Sequence, residues 1–141
     1  MSLSAIPRPL RIAVADRDRG QCRYCRLLQV GQAASFHVDH VWPRSRGGLT
    51  VLDNLALQCT SCSLHKSNKT SGADTETDRQ VPLIHPLRHQ WSAHLSLLPD
   101  GTCVGKTPIG RATVAALRMN DPMPKTARAM QIILRLLDPS E

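Results

Sequence analysis

Four of the five cysteines in this 141-residue chain fall in two Cys-x-x-Cys turns, Cys22/Cys25 and Cys59/Cys62, and Asp39-His40 and Asp53-Asn54 lie between them. Each such turn places two sulfurs on one side of a tight backbone loop. Two turns brought together can therefore offer four thiolates to a tetrahedral zinc ion (Zn2+). An odd cysteine count with this pairing speaks for metal binding over a disulfide framework, and a redox use of either pair would want a thioredoxin-like βαβ context that the chain does not display. Cys103 stands apart and reads as a small buried hydrophobe. The Asp39-His40 pair suggests different chemistry. A carboxylate is a hard oxygen ligand for Mg2+ or Mn2+, and an imidazole with an ordinary pKa of about 6.5 can take a proton from water near neutral pH. Asp39 as ligand to a divalent ion and His40 as general base would meet two requirements of phosphodiester hydrolysis, charge stabilisation and an activated water.

These side chains need elements to hold them. Pro7 to Arg19 reads as a helix with Gly20 as its stop. Ser35 to His40 has the alternation of a short strand that would carry the Asp-His pair, with His37 on the face of Asp39 in a supporting or exposed role. Pro43 to Gly48 reads as the loop leaving it, and a return strand or turn is expected through Leu49 to Leu52. Residues 62 to 69 allow about two helical turns after the second cysteine pair. The 33 residues between the pairs, Arg26 to Gln58, must double back for the four sulfurs to meet. Taken alone, Asn54 can also be read as a turn or cap residue before Leu55.

In order, the motifs Cys-x-x-Cys, Asp-His-x-x-Pro-x-Ser-x-Gly-Gly (39 to 48), Asn-Leu (54 to 55) and Cys-x-x-Cys resemble the HNH endonuclease family. The resemblance implies an α+β fold: a small ββα-metal (HNH) finger stapled by a four-cysteine zinc site, with helical and hairpin elaborations on the C-terminal side. It implies a metal-dependent enzyme that hydrolyses DNA phosphodiester bonds, with His40 and Asn54 as catalytic residues. Asn54 would hold the loop that orients the histidine. The sequence departs from the family where an Asn or His normally follows the last cysteine as second ligand to the catalytic ion: that residue is Ser63, whose hydroxyl is a weaker ligand. Three outcomes are open, namely an active enzyme with looser metal binding, substitution by His65, or an inactive zinc-containing DNA-binding module. His65 points about 200° away from Ser63 on a regular helix. Weakened but real activity is the preferred expectation.

Composition agrees with a nucleic-acid partner. The formal charge is +7, and residues 1 to 69 hold most of it, with ten Lys/Arg against four Asp/Glu. A basic surface also aids solubility, so charge alone does not decide. Arg44, Arg46, Lys66 and Lys69 are the expected phosphate contacts. Aromatics make up 3% of the chain, too few to anchor a core unaided. Nothing approaches a membrane span or a secretory signal, so a cytoplasmic protein is expected. Residues 1–70 read as the nuclease core and 71–141 as an exposed connection (69 to 80), a hairpin pairing Gln90 to Leu97 with Thr102 to Lys106 around Pro99-Asp100-Gly101, and two helices opened by Pro108 and Pro124. Pro-Leu-Ile-His-Pro, Trp-Ser-x-His and Thr-Pro-Ile-Gly-Arg-Ala-Thr-Val in this half resemble a segment of bacterial single-domain HNH proteins. Trp91, His94 and His85 read as packing residues. The segment would buttress the finger or widen the DNA-contacting surface, and can equally serve as a homodimer interface.

Overall fold

The computed structural model describes residues 6–140. Helix α1 (Arg8–Asp18) starts at Pro7 and closes on Arg19, which takes the left-handed conformation with φ 53°. Its inner face carries Val14, fully buried, and the carboxylate of Asp18. That carboxylate accepts from Leu57 N at 2.9 Å and from Arg17 Nε at 2.7 Å, while Arg17 also donates to the Leu52 and Leu55 carbonyls. The helix is thus tied to the next sheet by charge-assisted bonds as well as by apolar contact.

Strands β1 (His37–His40) and β2 (Leu55–Gln58) pair antiparallel, with Asp39 opposite Ala56 and His40 opposite Leu55. The return strand therefore lies beyond the expected 49 to 52. Leu49, Val51 and Leu52 are exposed at 68%, 40% and 42%, whereas all four residues of β2 are buried. The apolar run Leu55-Ala56-Leu57 is what a strand covered on both faces requires. Helix α2 (Thr60–Lys66) starts directly after Cys59 and completes a ββα unit. It begins two residues earlier than expected and ends before Lys69.

The segment expected to be an exposed connection is a hairpin of β3 (Ser71–Ala73) and β4 (Gln80–Pro82). Its organiser is Asp74, fully buried, which accepts from Thr77 Oγ1 at 2.7 Å, Glu76 N at 3.1 Å and twice from Arg111 at 2.7 and 3.1 Å. The Arg111 guanidinium holds this carboxyl well below the usual range. No apolar periodicity announces such a hairpin, because a carboxylate organises it. The hairpin around Pro99-Asp100-Gly101 pairs β5 (Leu95–Leu97) with β6 (Cys103–Gly105), but its first strand is shorter than expected, because residues 91–94 form the short helix α3 (Trp91–His94) that buries Trp91. Helices α4 (Pro108–Ala116) and α5 (Pro122–Ile133) follow. The latter opens at Pro122, ahead of the expected Pro124, with Asp121 as its N-cap. Gly110 is required where α4 meets the His94 carbonyl, which an added Cβ would approach to 1.9 Å.

One core cluster joins Cys22, Cys25, Cys59 and Cys62 to Leu83, Ile84, Trp91, Leu95, Leu97, Leu117 and Met119, while a smaller one packs Val14 on Leu55 and Leu57. Gln131 of α5 both accepts from and donates to the Leu28 backbone at 2.9 Å, and Trp91 Nε1 donates to the Tyr24 carbonyl at 2.8 Å. The C-terminal half thereby covers the cysteine turns and removes them from water. The outer side of α5 leaves Met123, Met130 and Ile133 exposed. No described helix is long and apolar enough to cross a membrane.

Candidate functional site

The two Cys-x-x-Cys turns converge because β1 and β2 fold the intervening chain back on itself. The four sulfurs lie within 4.8 Å of one another, all buried, and Cys25 Sγ is 3.7 Å from Cys59 Sγ. Tetrahedral zinc with bonds of about 2.3 Å requires sulfur separations of about 3.8 Å, so the donor set fits the ion. Cys25 N and Cys62 N each donate to the first sulfur of their own turn at 3.4 Å, which is how a tight turn aims its thiols. Burial raises the Cys22 thiol, while hydrogen bonds from Cys22 and the other cluster sulfurs lower that of Cys25. Cys103 donates to the Cys25 carbonyl at 3.8 Å, and burial pushes its own thiol up to about 12. It lies outside the group of four sulfurs that could hold an ion.

Asp39, His40 and Ser63 line one open cleft of about 1090 Å³, between α1 and the loop that leaves β1. Ser63 Oγ donates to Asp39 Oδ2 at 2.5 Å. His40 Nε2 lies 2.8 Å from Thr50 Oγ1. Burial, with Arg44 and Lys66 close by, lowers the histidine's pKa, and Asp39 opposes the shift. Asn54 fastens the long loop at both ends: Nδ2 donates to the Trp42 and Leu49 carbonyls at 3.0 and 2.8 Å, and Oδ1 accepts from Trp42 N at 2.9 Å. Gly48 closes this loop against the Trp42 carbonyl, where a Cβ would come within 1.8 Å. For a divalent ion the site offers one carboxylate and a hydroxyl that spends its proton on that carboxylate. Magnesium sites commonly hold one or two carboxylates and complete their shell with water and phosphate. The donor set is therefore sufficient, though sparse.

Other expected residues are placed differently. Lys66 is 2% exposed, its Nζ donates to the His40 carbonyl at 3.3 Å, and burial lowers its pKa to about 8. It is a packed cation beneath the Asp-His strand end, not a solvated phosphate ligand, because the last turn of α2 packs its stem inward. Lys69 lies past that helix, with Nζ 3.5 Å from the Ala116 carbonyl. Arg46 is exposed, bonds to Thr70 Oγ1 and has its guanidinium 5.7 Å from the Trp42 ring centre. Arg44 and His37 line the cleft. His65 turns back to the Ser61 carbonyl, 2.8 Å from Nδ1, and does not line the cleft. Residues that the motifs do not mark are Arg8 and Arg11 of α1, which line the cleft opposite the loop, and Thr50. Three residues apart on one helix, the two arginines carry a readable signal as a basic face. Thr50 has no such signal in its loop. Among the described residues, Asp39 is the sole carboxylate lining a cleft that also holds Arg8, Arg11 and Arg44.

Residues 22–69, the stretch that builds both cysteine turns, the Asp39-His40 strand, Asn54 and α2, match the family model described as HNH endonuclease. The remaining chain, including α1, α4 and α5, lies outside that match. No curated protein and no solved structure matches the chain.

Proposed function

We propose that this protein is a metal-dependent endonuclease that hydrolyses DNA phosphodiester bonds. The observation that carries the reading is the shared cleft: Asp39, His40 and Ser63 meet there with three arginines and, among the described residues, no competing carboxylate. Residues 1–70 act as the nuclease core, and 71–141 pack over its zinc staple.

In this reading Thr50 accepts from His40 Nε2, which leaves Nδ1 as the lone pair that takes a proton from the attacking water. Lys66 holds the backbone carbonyl of the same histidine, and Asn54 keeps the loop that carries Thr50 in register with β1. Asp39 would hold Mg2+ or Mn2+, with Ser63 steadying the carboxylate. When bound, such an ion supplies charge stabilisation at the phosphoryl and leaving oxygens. Arg8, Arg11 and Arg44 bind flanking phosphates, with Arg46 and Lys69 further out. Removing the three cleft arginines is expected to flatten the salt dependence of duplex binding by about one unit of log–log slope per arginine. Anisotropy titrations at several salt concentrations measure it, and an unchanged slope would place DNA elsewhere.

The Ser63 to Asp39 hydrogen bond favours a second reading, a zinc-containing DNA-binding module with weakened or absent chemistry. Supercoiled plasmid incubated with magnesium or manganese separates the two: conversion to open or linear circles supports the nuclease, and binding without conversion supports the module. Ser63→Asn, which restores an amide oxygen at this position, is expected to raise nicking at limiting magnesium by up to about tenfold. Identical metal dependence in both proteins would place Ser63 outside the ion's ligands.

A further inference from the structure

Four thiolates around one zinc ion carry a formal charge of two minus, and here the four cysteines are 0 to 1% exposed. A buried charge of that size is costly unless a counter-charge or hydrogen bonds meet it. Within the cluster, two backbone N–H groups donate to sulfur. A full cation stands beside it in Arg128 of α5, which is 0% exposed. Its Nε donates to the Gly101 carbonyl at 2.8 Å and Nη2 to the Met119 carbonyl at 2.6 Å, with Asn120 Oδ1 at 3.4 Å. The remaining nitrogen, Nη1, is buried without a hydrogen-bond partner. Asn120, which meets the guanidinium, also brackets the Cys103 backbone, accepting from its N–H at 2.8 Å and donating to its carbonyl at 2.9 Å, and Cys103 Sγ in turn donates to the Cys25 carbonyl at 3.8 Å. Among the described residues no carboxylate pairs with it. A buried arginine held by carbonyls, lacking an acidic partner and joined through Asn120 and Cys103 to a cysteine turn, has the thiolates as its natural counter-ion.

We propose that Arg128 is the counter-cation of the four-cysteine centre, so that zinc retention depends on α5, a helix far outside the family-matched segment, being docked against the cysteine turns. The proposal rests on the zinc reading of the four cysteines. It separates Arg128 from an ordinary packing residue, because a lysine can replace the charge but not the fork of hydrogen bonds to Gly101 and Met119.

The test uses the full chain and zinc itself. Metal content of the purified wild type comes first: protein without zinc would overturn the four-thiolate reading and the proposal with it. With zinc present, Arg128→Met and Arg128→Lys are compared with wild type for zinc transfer to a chromogenic chelator, alongside denaturant unfolding. Arg128→Met is expected to weaken zinc affinity by about 10- to 100-fold, and Arg128→Lys to stay within a few-fold of wild type even where its unfolding midpoint drops. Equal loss of zinc in both variants would assign Arg128 a packing role and overturn the proposal, as would wild-type retention in Arg128→Met. If Arg128→Met yields no folded protein, Arg128→Lys decides alone, near-wild-type retention supporting the proposal and a loss of about tenfold or more overturning it.

Discussion

His40→Ala is expected to slow plasmid nicking by about 10²- to 10⁴-fold, the usual contribution of a positioned general base, while duplex affinity and zinc content stay at wild-type levels. The expectation follows from the way the imidazole is held. Thr50 engages one ring nitrogen and Lys66 the residue's own carbonyl, so the ring is presented to the cleft by groups that survive its removal. The fold has little to lose, because His40 ends a strand whose neighbours Leu55 and Leu57 carry the packing. Binding also stays, since the cleft arginines are on other elements. Time courses with magnesium and with manganese, paired with anisotropy measurements, check each part. Equal cleavage by both proteins would remove His40 as the base.

Stripping the zinc is expected to have the larger structural effect. Structural zinc contributes on the order of 10 kcal/mol in small domains, comparable to the whole net stability of a typical domain at about 5–15 kcal/mol. This chain has few aromatics to make up the difference, and its main core cluster is assembled around the four cysteines themselves. Trp91 and Gln131 anchor the C-terminal half to the first cysteine turn, so disorder there would spread. Chelation, or Cys59→Ser, is expected to abolish the cooperative thermal transition and the native circular dichroism signal together. A zinc-free protein with an unchanged melting curve would contradict the staple.

Sequence reading succeeds here where spacing along the chain equals spacing in space. A Cys-x-x-Cys turn is local, so its geometry follows from four residues. The Pro99-Asp100-Gly101 hairpin and the proline-opened α4 are local in the same way. Asn54 is a partial case: the resemblance points to a residue that holds a loop, and the bonds to Trp42 and Leu49 are of that kind. Sequence reading fails where a distant group supplies the reason for a structure. Leu49 to Leu52 look apolar enough for the return strand, yet burial on both faces singles out Leu55 to Gln58. The Asp74 hairpin is organised by Arg111, 37 residues away.

By itself, then, the sequence determined that two turns would each present a pair of thiols, since that geometry is short-range, and the ordered motifs, through their resemblance to the HNH family, implied that these would share one α+β finger with the Asp-His pair. Only the tertiary structure decided that Lys66 is packed under His40 instead of reaching solvent, that Arg8 and Arg11 line the same cleft as Asp39, and that Arg128 is fully buried against Gly101, Met119 and Asn120. Each of these depends on which surfaces bury one another, and burial is a property of contacts between segments far apart in the chain.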